Sequence, residues 1–118
     1  MSEHLKTGEE GETLAKSFLL EKGYALLERN WRFRKAEVDL IFEKSPFVVF
    51  VEVKTRFDND NKEALASIGN SKQRLLLSAA DAYMQDYQGD MLEARFDVIT
   101  LTWKDKQWNI EHFENAFS

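Results

Sequence analysis

Two neighbouring segments constrain this chain most, because both are apolar on both faces until they end in charges. They read Glu37-Val38-Asp39-Leu40-Ile41-Phe42 and Phe47-Val48-Val49-Phe50-Val51-Glu52-Val53-Lys54. Each is rich in β-branched and aromatic residues, and Glu43-Lys44-Ser45-Pro46 supplies a turn between them. Strand side chains alternate faces. Phe47, Val49, Val51 and Val53 share one face, while Val48, Phe50, Glu52 and Lys54 share the other. Val38, Leu40 and Phe42 likewise oppose Glu37, Asp39 and Ile41. Such strands are covered on both sides. The carboxylates are the polar end of a buried face.

A four-residue turn would set Asp39 opposite Phe50 and Glu37 opposite Glu52. Asp39 would then lie diagonal to Glu52, about 7–8 Å away between backbones. Carboxylates that close repel unless a proton or a cation joins them. A divalent ion is the natural third party, and oxygen-only ligands suit Mg²⁺, Mn²⁺ or Ca²⁺. Lys54 shares the face of Glu52, where it can orient a hydrolytic water or stabilise charge developing on a phosphate. A solvated ion pair between Glu52 and Lys54 is the plainer alternative.

The chain has 118 residues, 43% of them hydrophobic, enough for one domain with its own core. It has no Cys, which excludes disulfides and thiolate zinc sites. His4 and His112 are the only histidines and read as incidental or structural, so a His-based metal site or a catalytic triad is poorly supported. No apolar run is long enough to span a membrane, and no basic start precedes an apolar signal core, so a cytoplasmic protein is expected. The net charge of −5 argues against a dedicated DNA binder. Its distribution argues the other way. Arg29, Arg32, Arg34 and Lys35 precede the Asp39 strand, and Lys54, Arg56, Lys72 and Arg74 follow the Glu52 strand. A basic rim around an acidic pocket fits a nuclease.

The remaining elements fall in a consistent order. Residues Thr7 to Lys22 read as a helix closed by Gly23 at the C′ position. Glu12 lies along the edge of its apolar stripe, and the helix dipole is explanation enough for an acid there. Tyr24 to Phe33 reads as a first strand. Arg56 to Asn70 reads as a long polar loop able to close over a bound strand. Ser71 looks like the N-cap of a helix running to about Tyr87, with Leu76, Ala79, Ala80, Tyr83, Met84 and Tyr87 as its core stripe. Lys72 sits in that helix's first turn, where a bound anion would offset its unfavourable position, so it is a candidate phosphate contact. Ala94 to Trp103 is a strand, and Trp108 to Phe113 an edge strand. Asp97, inside the former, reads as structural or as capping a neighbouring element. Trp31, Trp103 and Trp108 read as packing residues. The order helix–strand–strand–strand–helix–strand–strand predicts an α/β sandwich, a mixed sheet with one helix per face.

The spacing Asp39…Glu52-Val53-Lys54 resembles the core of the PD-(D/E)xK nuclease superfamily, with its restriction-endonuclease-like fold. The chain most closely resembles the bacterial YraN-like family, which is similar to archaeal Holliday-junction resolvases. Gly11-Glu12, Gly23 to Arg32, Glu37 to Ile41, Val49 to Arg56, Lys72 and Arg95 to Val98 carry the likeness, over about residues 8–100. The resemblance implies Glu12, Asp39, Glu52 and Lys54 as the catalytic set. It implies Mg²⁺ or Mn²⁺ held by Asp39, Glu52 and the Val53 carbonyl. Arg32, Arg34, Arg56 and Lys72 would contact DNA, branched or structured, and a homodimer would match two symmetric cuts. The alternative is a nucleic-acid-binding or adaptor protein that keeps the fold without catalysis. One departure is Ala36, where the family usually has Gly. Ala adopts positive φ less cheaply, so the loop entering the Asp39 strand is expected to differ in shape.

Overall fold

The computed structural model describes residues 3–57 and 68–117. Helix α1 (Glu3–Glu21) leads into strands β1 (Ala25–Phe33), β2 (Ala36–Lys44) and β3 (Phe47–Phe57). Helix α2 (Asn70–Asp86) and strands β4 (Glu93–Lys104) and β5 (Gln107–Phe117) follow. The five strands form one sheet in the order β1-β2-β3-β4-β5. All neighbours are antiparallel except β3 and β4, which are parallel, with α2 in the connection between them. The expected α/β sandwich with a mixed sheet is what forms.

Two apolar clusters cover the two faces. Leu40, Phe42, Val49, Val51, Ile99 and Leu101 pack with Ala15 and Leu19 of α1. Ile41, Val48, Phe50 and Val98 pack with Leu76, Ala79 and Ala80 of α2. The alternation of β3 read from the sequence therefore holds, and with it the core stripe of α2.

Glycine decides how α1 sits and where it stops. A Cβ on Gly11 would collide with the Thr55 side chain, so its absence lets the helix lie against β3. Gly23 has φ of +92°, and its N–H donates to Leu20 O at 3.1 Å while Tyr24 N–H returns to Leu19 O at 3.0 Å. This is the left-handed termination expected of Gly23. The helix starts at Glu3 rather than Thr7.

Four local expectations are corrected. The hairpin between β2 and β3 is tighter than four residues: Lys44 already pairs with Phe47, leaving Ser45-Pro46 as the turn. The cap of α2 is Gly69 in extended conformation, with no side-chain cap, rather than Ser71; Gln73 secures the turn through its N–H to Gly69 O at 2.9 Å and its amide to Ile68 O at 2.6 Å. Strands β3 and β5 run further than expected, to Phe57 and Phe117. Ala36 needs no positive φ. It is a buried strand residue paired with Phe33, and the left-handed residue of that turn is Arg34, at φ 56°. Most of the polar loop after Phe57, expected to close over a bound strand, lies outside the described residues, as does the His4 side chain.

Candidate functional site

The site forms where β2 and β3 part. Their ladder runs from Lys44↔Phe47 to Leu40↔Val51 and ends there. The tighter hairpin moves the register by two residues, so the next rung would set Asp39 directly opposite Glu52 instead of diagonal to it. Side chains on directly opposed residues start only about 4.5–5.5 Å apart. At that rung a side chain replaces the backbone partner: Val53 N–H donates to Asp39 Oδ2 at 2.8 Å. The N–H and C=O of a strand residue point to the same side, so the Val53 carbonyl faces the same gap. The alternation of β2 also breaks here. Val38 packs with the α2 cluster and Leu40 with the α1 cluster, although residues two apart on a regular strand share a face.

Glu52 is 4% exposed. Its Oε1 is 2.8 Å from Lys72 Nζ, and its Oε2 is buried with no hydrogen-bond partner among the described residues. Burial raises the Glu52 carboxyl, and the Lys72 hydrogen bond and charge offset only part of that rise. Burial, then the charge of Glu52, pushes Asp39 up to about 7 from an ordinary 3.8, although the Val53 N–H works against the shift. Two carboxyls thus act on each other's charge with one ammonium, that of Lys72, paired to Glu52. An orphaned buried oxygen, a second carboxylate and a backbone carbonyl at one gap fit a small hard cation that keeps water in its remaining positions. Among the described residues, no group of three or more acidic or histidine side chains gathers as a metal site.

A cavity of about 450 Å³ opens over this gap. Asp39, Glu52 and Glu37 line it from the strands, Lys35 from the β1–β2 turn, and Lys72 and Leu75 from α2. A neighbouring cavity of about 260 Å³ shares Lys35, Ala36 and Leu75 and continues to Phe33 and Arg34. Lys54 shares the face of Glu52 but does not line the larger cavity. Its amine is lowered by burial first, then by the charges of Lys72 and Arg56, with Glu52 and Asp39 pulling the other way. Glu12, on α1, pairs with Arg29 at 3.5 Å, and its charge adds to the rise of Asp39. It therefore lies within electrostatic reach of the pair without lining the cavity. Arg32 pairs with Glu37 at 3.4 Å and is mostly exposed. Arg34 lies over the Phe33 ring at 5.1 Å. The Arg56 guanidinium donates to Thr55 O at 2.9 Å. The basic rim is thus partly matched by carboxylates of its own.

The ionised form of Asp39 is the penalised one. Below its ordinary value the group is neutral in folded and unfolded chains alike, and the penalty grows with pH until it is complete above about 7. Asp39→Asn keeps an acceptor for the Val53 N–H. It is expected to stabilise the metal-free protein at pH 8 by on the order of 2–4 kcal/mol, a gain that fades to nothing by pH 4. Urea unfolding in a chelator at both pH values measures this. Equal stability of the two proteins at pH 8 would contradict it.

A second charged cluster occupies the other face, and the sequence reading missed most of it. Asp97 is fully buried. Arg95 donates to both its oxygens, at 2.9 and 2.8 Å, the His112 ring lies at 2.7 Å, and Asn115 N–H donates at 3.0 Å. Arg95 also donates to the Tyr24 hydroxyl at 2.7 Å. Burial alone would raise the Asp97 carboxyl, but the hydrogen bonds from His112, Arg95 and Asn115 hold it below its ordinary 3.8. Asp97 is thus structural, as expected. His112 is structural too, although only pairing across β4 and β5 brings it to Asp97. Trp31 packs edge-on against Tyr83 at 5.1 Å, and Trp103 against Trp108 at 5.2 Å, in keeping with packing roles.

Fold and site together define an α/β sandwich domain with an acidic pocket at the parting of two strands and basic side chains at its mouth. Among the described residues, no helix is long and apolar enough to cross a membrane. The chain belongs to the uncharacterised protein family UPF0102, whose model matches residues 11–101. It is 44% identical over 117 residues to a UPF0102 protein of Flavobacterium psychrophilum, covering 99% of this chain and 98% of that one. UPF0102 proteins of Phocaeicola vulgatus (over 99% of this chain and 96% of the relative) and Chlorobium phaeobacteroides (93% and 92%) are each 37% identical to it.

Proposed function

We propose that this protein is a Mg²⁺- or Mn²⁺-dependent nuclease that hydrolyses phosphodiester bonds in branched or otherwise structured DNA. The observation that carries the reading is the charge-coupled pair of a half-buried Asp39 and a buried Glu52, incompletely neutralised in the lining of an open cavity. Holding two such groups together costs stability, and a site that binds a cation is where that cost has a use. Asp39, Glu52 and the Val53 carbonyl would hold the ion. When bound, it polarises the scissile phosphate and lowers the pKa of a coordinated water.

The chain's own residues supply the rest. Lys54 orients the attacking water, and its positive charge stabilises the negative charge that develops on the phosphate. Glu12, fixed by Arg29, adds a third negative charge next to Asp39. The cavity that continues past Lys35 to Arg34 supports a path for the phosphate backbone. Arg32, Arg56 and Lys72 extend the basic rim, so binding is expected to weaken with salt. A homodimer would place two such sites for paired cuts.

The test is calorimetric titration of Mg²⁺ and Mn²⁺ into wild type and Asp39→Ala, with and without a short DNA junction, followed by cleavage of branched, nicked and single-stranded DNA. Ion binding and cleavage that Asp39→Ala eliminates are expected. DNA binding with no ion uptake and no cleavage, in either protein, would favour a non-catalytic nucleic-acid-binding or adaptor protein.

A further inference from the structure

We propose that Lys72 is the site's resident counter-ion: its ammonium takes the divalent-ion position in the metal-free protein, so ion loading is an exchange that frees Lys72 to meet the substrate phosphate. The inference rests on the metal-dependent reading above and adds an order to it.

Lys72 Nζ lies 2.8 Å from the Glu52 carboxylate, and no other basic side chain among the described residues pairs with Glu52 or Asp39. The partners differ in burial. The Glu52 side chain is 6% exposed and the Lys72 side chain 51%, so the lysine reaches down into the pocket from its mouth. The neutralisation is incomplete, because one ammonium satisfies Oε1 and leaves Oε2 bare. A divalent ion offers twice the charge and a shell able to engage both carboxylates, so it outcompetes a single ammonium at short range.

The location of Lys72 favours its release. It stands in the first turn of α2, where the dipole and unpaired N–H groups disfavour a cation, and no acidic residue shares that turn. Glu52 is what holds it inward. Once Glu52 is engaged elsewhere, the flexible four-carbon stem lets the ammonium move to the cavity mouth. There it joins the helix N-terminus and Lys35, facing the place where an anion would lie. Burial and the nearby charges of Glu52, Asp39 and Glu37 act on this ammonium, and Lys54 faces it as a like charge.

Two measurements on the full chain test the exchange. In calorimetric Mn²⁺ titration, Lys72→Met is expected to bind the ion about tenfold or more tightly than wild type, because the competitor is gone. In wild type, brief acetylation read residue by residue by mass spectrometry is expected to modify Lys72 several-fold faster with Mn²⁺ than without, while Lys104 is unchanged. Equal or weaker Mn²⁺ affinity in the variant, or acetylation of Lys72 indifferent to Mn²⁺ in a wild type that binds the ion, overturns the exchange and leaves the metal site standing. No Mn²⁺ uptake by either protein, with or without a short DNA junction, overturns both. The acetylation experiment needs no variant and decides the matter if Lys72→Met does not fold.

Discussion

Lys54→Ala is expected to fold and take up Mn²⁺ as wild type does, yet to cleave DNA at least about 100-fold more slowly. The side chain leaves β3 on the face of Glu52, and neither its strand pairing with Thr100 nor the oxygens of Asp39 and Glu52 proposed to hold the ion depend on it. Lys54 makes no ion pair among the described residues, so its removal strands no partner. What is lost is a compact positive charge whose amine is lowered by burial and by Lys72 and Arg56, on the strand face that it shares with Glu52. Single-turnover cleavage at saturating metal, alongside calorimetry and circular dichroism, separates this loss from loss of binding or fold. Undiminished cleavage would remove Lys54 from the chemistry.

The largest expected loss of stability comes from the opposite face. Asp97→Ala leaves Arg95 and His112 buried with their shared acceptor gone, at 11% and 5% side-chain exposure. Removing one partner of a buried charged network costs about 3–5 kcal/mol, against a total stability of roughly 5–15 kcal/mol for a domain. A fall in Tm of about 10–20 °C is expected. The folded Asp97 carboxyl titrates below its ordinary 3.8. Its contribution is therefore present in full above that value and is lost as pH falls through the lower, folded one. The gap between wild type and variant should be wide at neutral pH and close in strong acid. Thermal melts at pH 7 and in acid check both points. A fall of only a few degrees at pH 7 would mean that water or rearranged partners satisfy Arg95.

The metal-site assignment and this network share one cause of difficulty for anyone reading the chain alone. Glu12, Asp39, Glu52 and Lys54 are identifiable because local pattern singles them out: an acid on an apolar stripe, and charges ending apolar strands. Arg95, Asp97 and His112 lie on β4 and β5, and nothing local says that one histidine will find one aspartate. Lys72 was legible as a cation misplaced at a helix start, but its partner was not.

The amino-acid sequence by itself determined the elements, their order and most of their faces. Alternation in β3, the 3.6-residue stripe of α2 and the glycine at 23 are local properties, set by side-chain direction and allowed φ. It also determined which residue types stand at the strand ends. Tertiary structure alone decided which of them meet. A hairpin two residues tighter than expected shifted the register so that the strands part at the rung that would set Asp39 opposite Glu52. The parting of β2 from β3 turned the Asp39 carboxylate onto the Val53 N–H. The packing of α2 carried Lys72 onto Glu52. Each of these depends on register or helix placement, where a shift of one or two residues changes every partner while leaving the local pattern nearly the same.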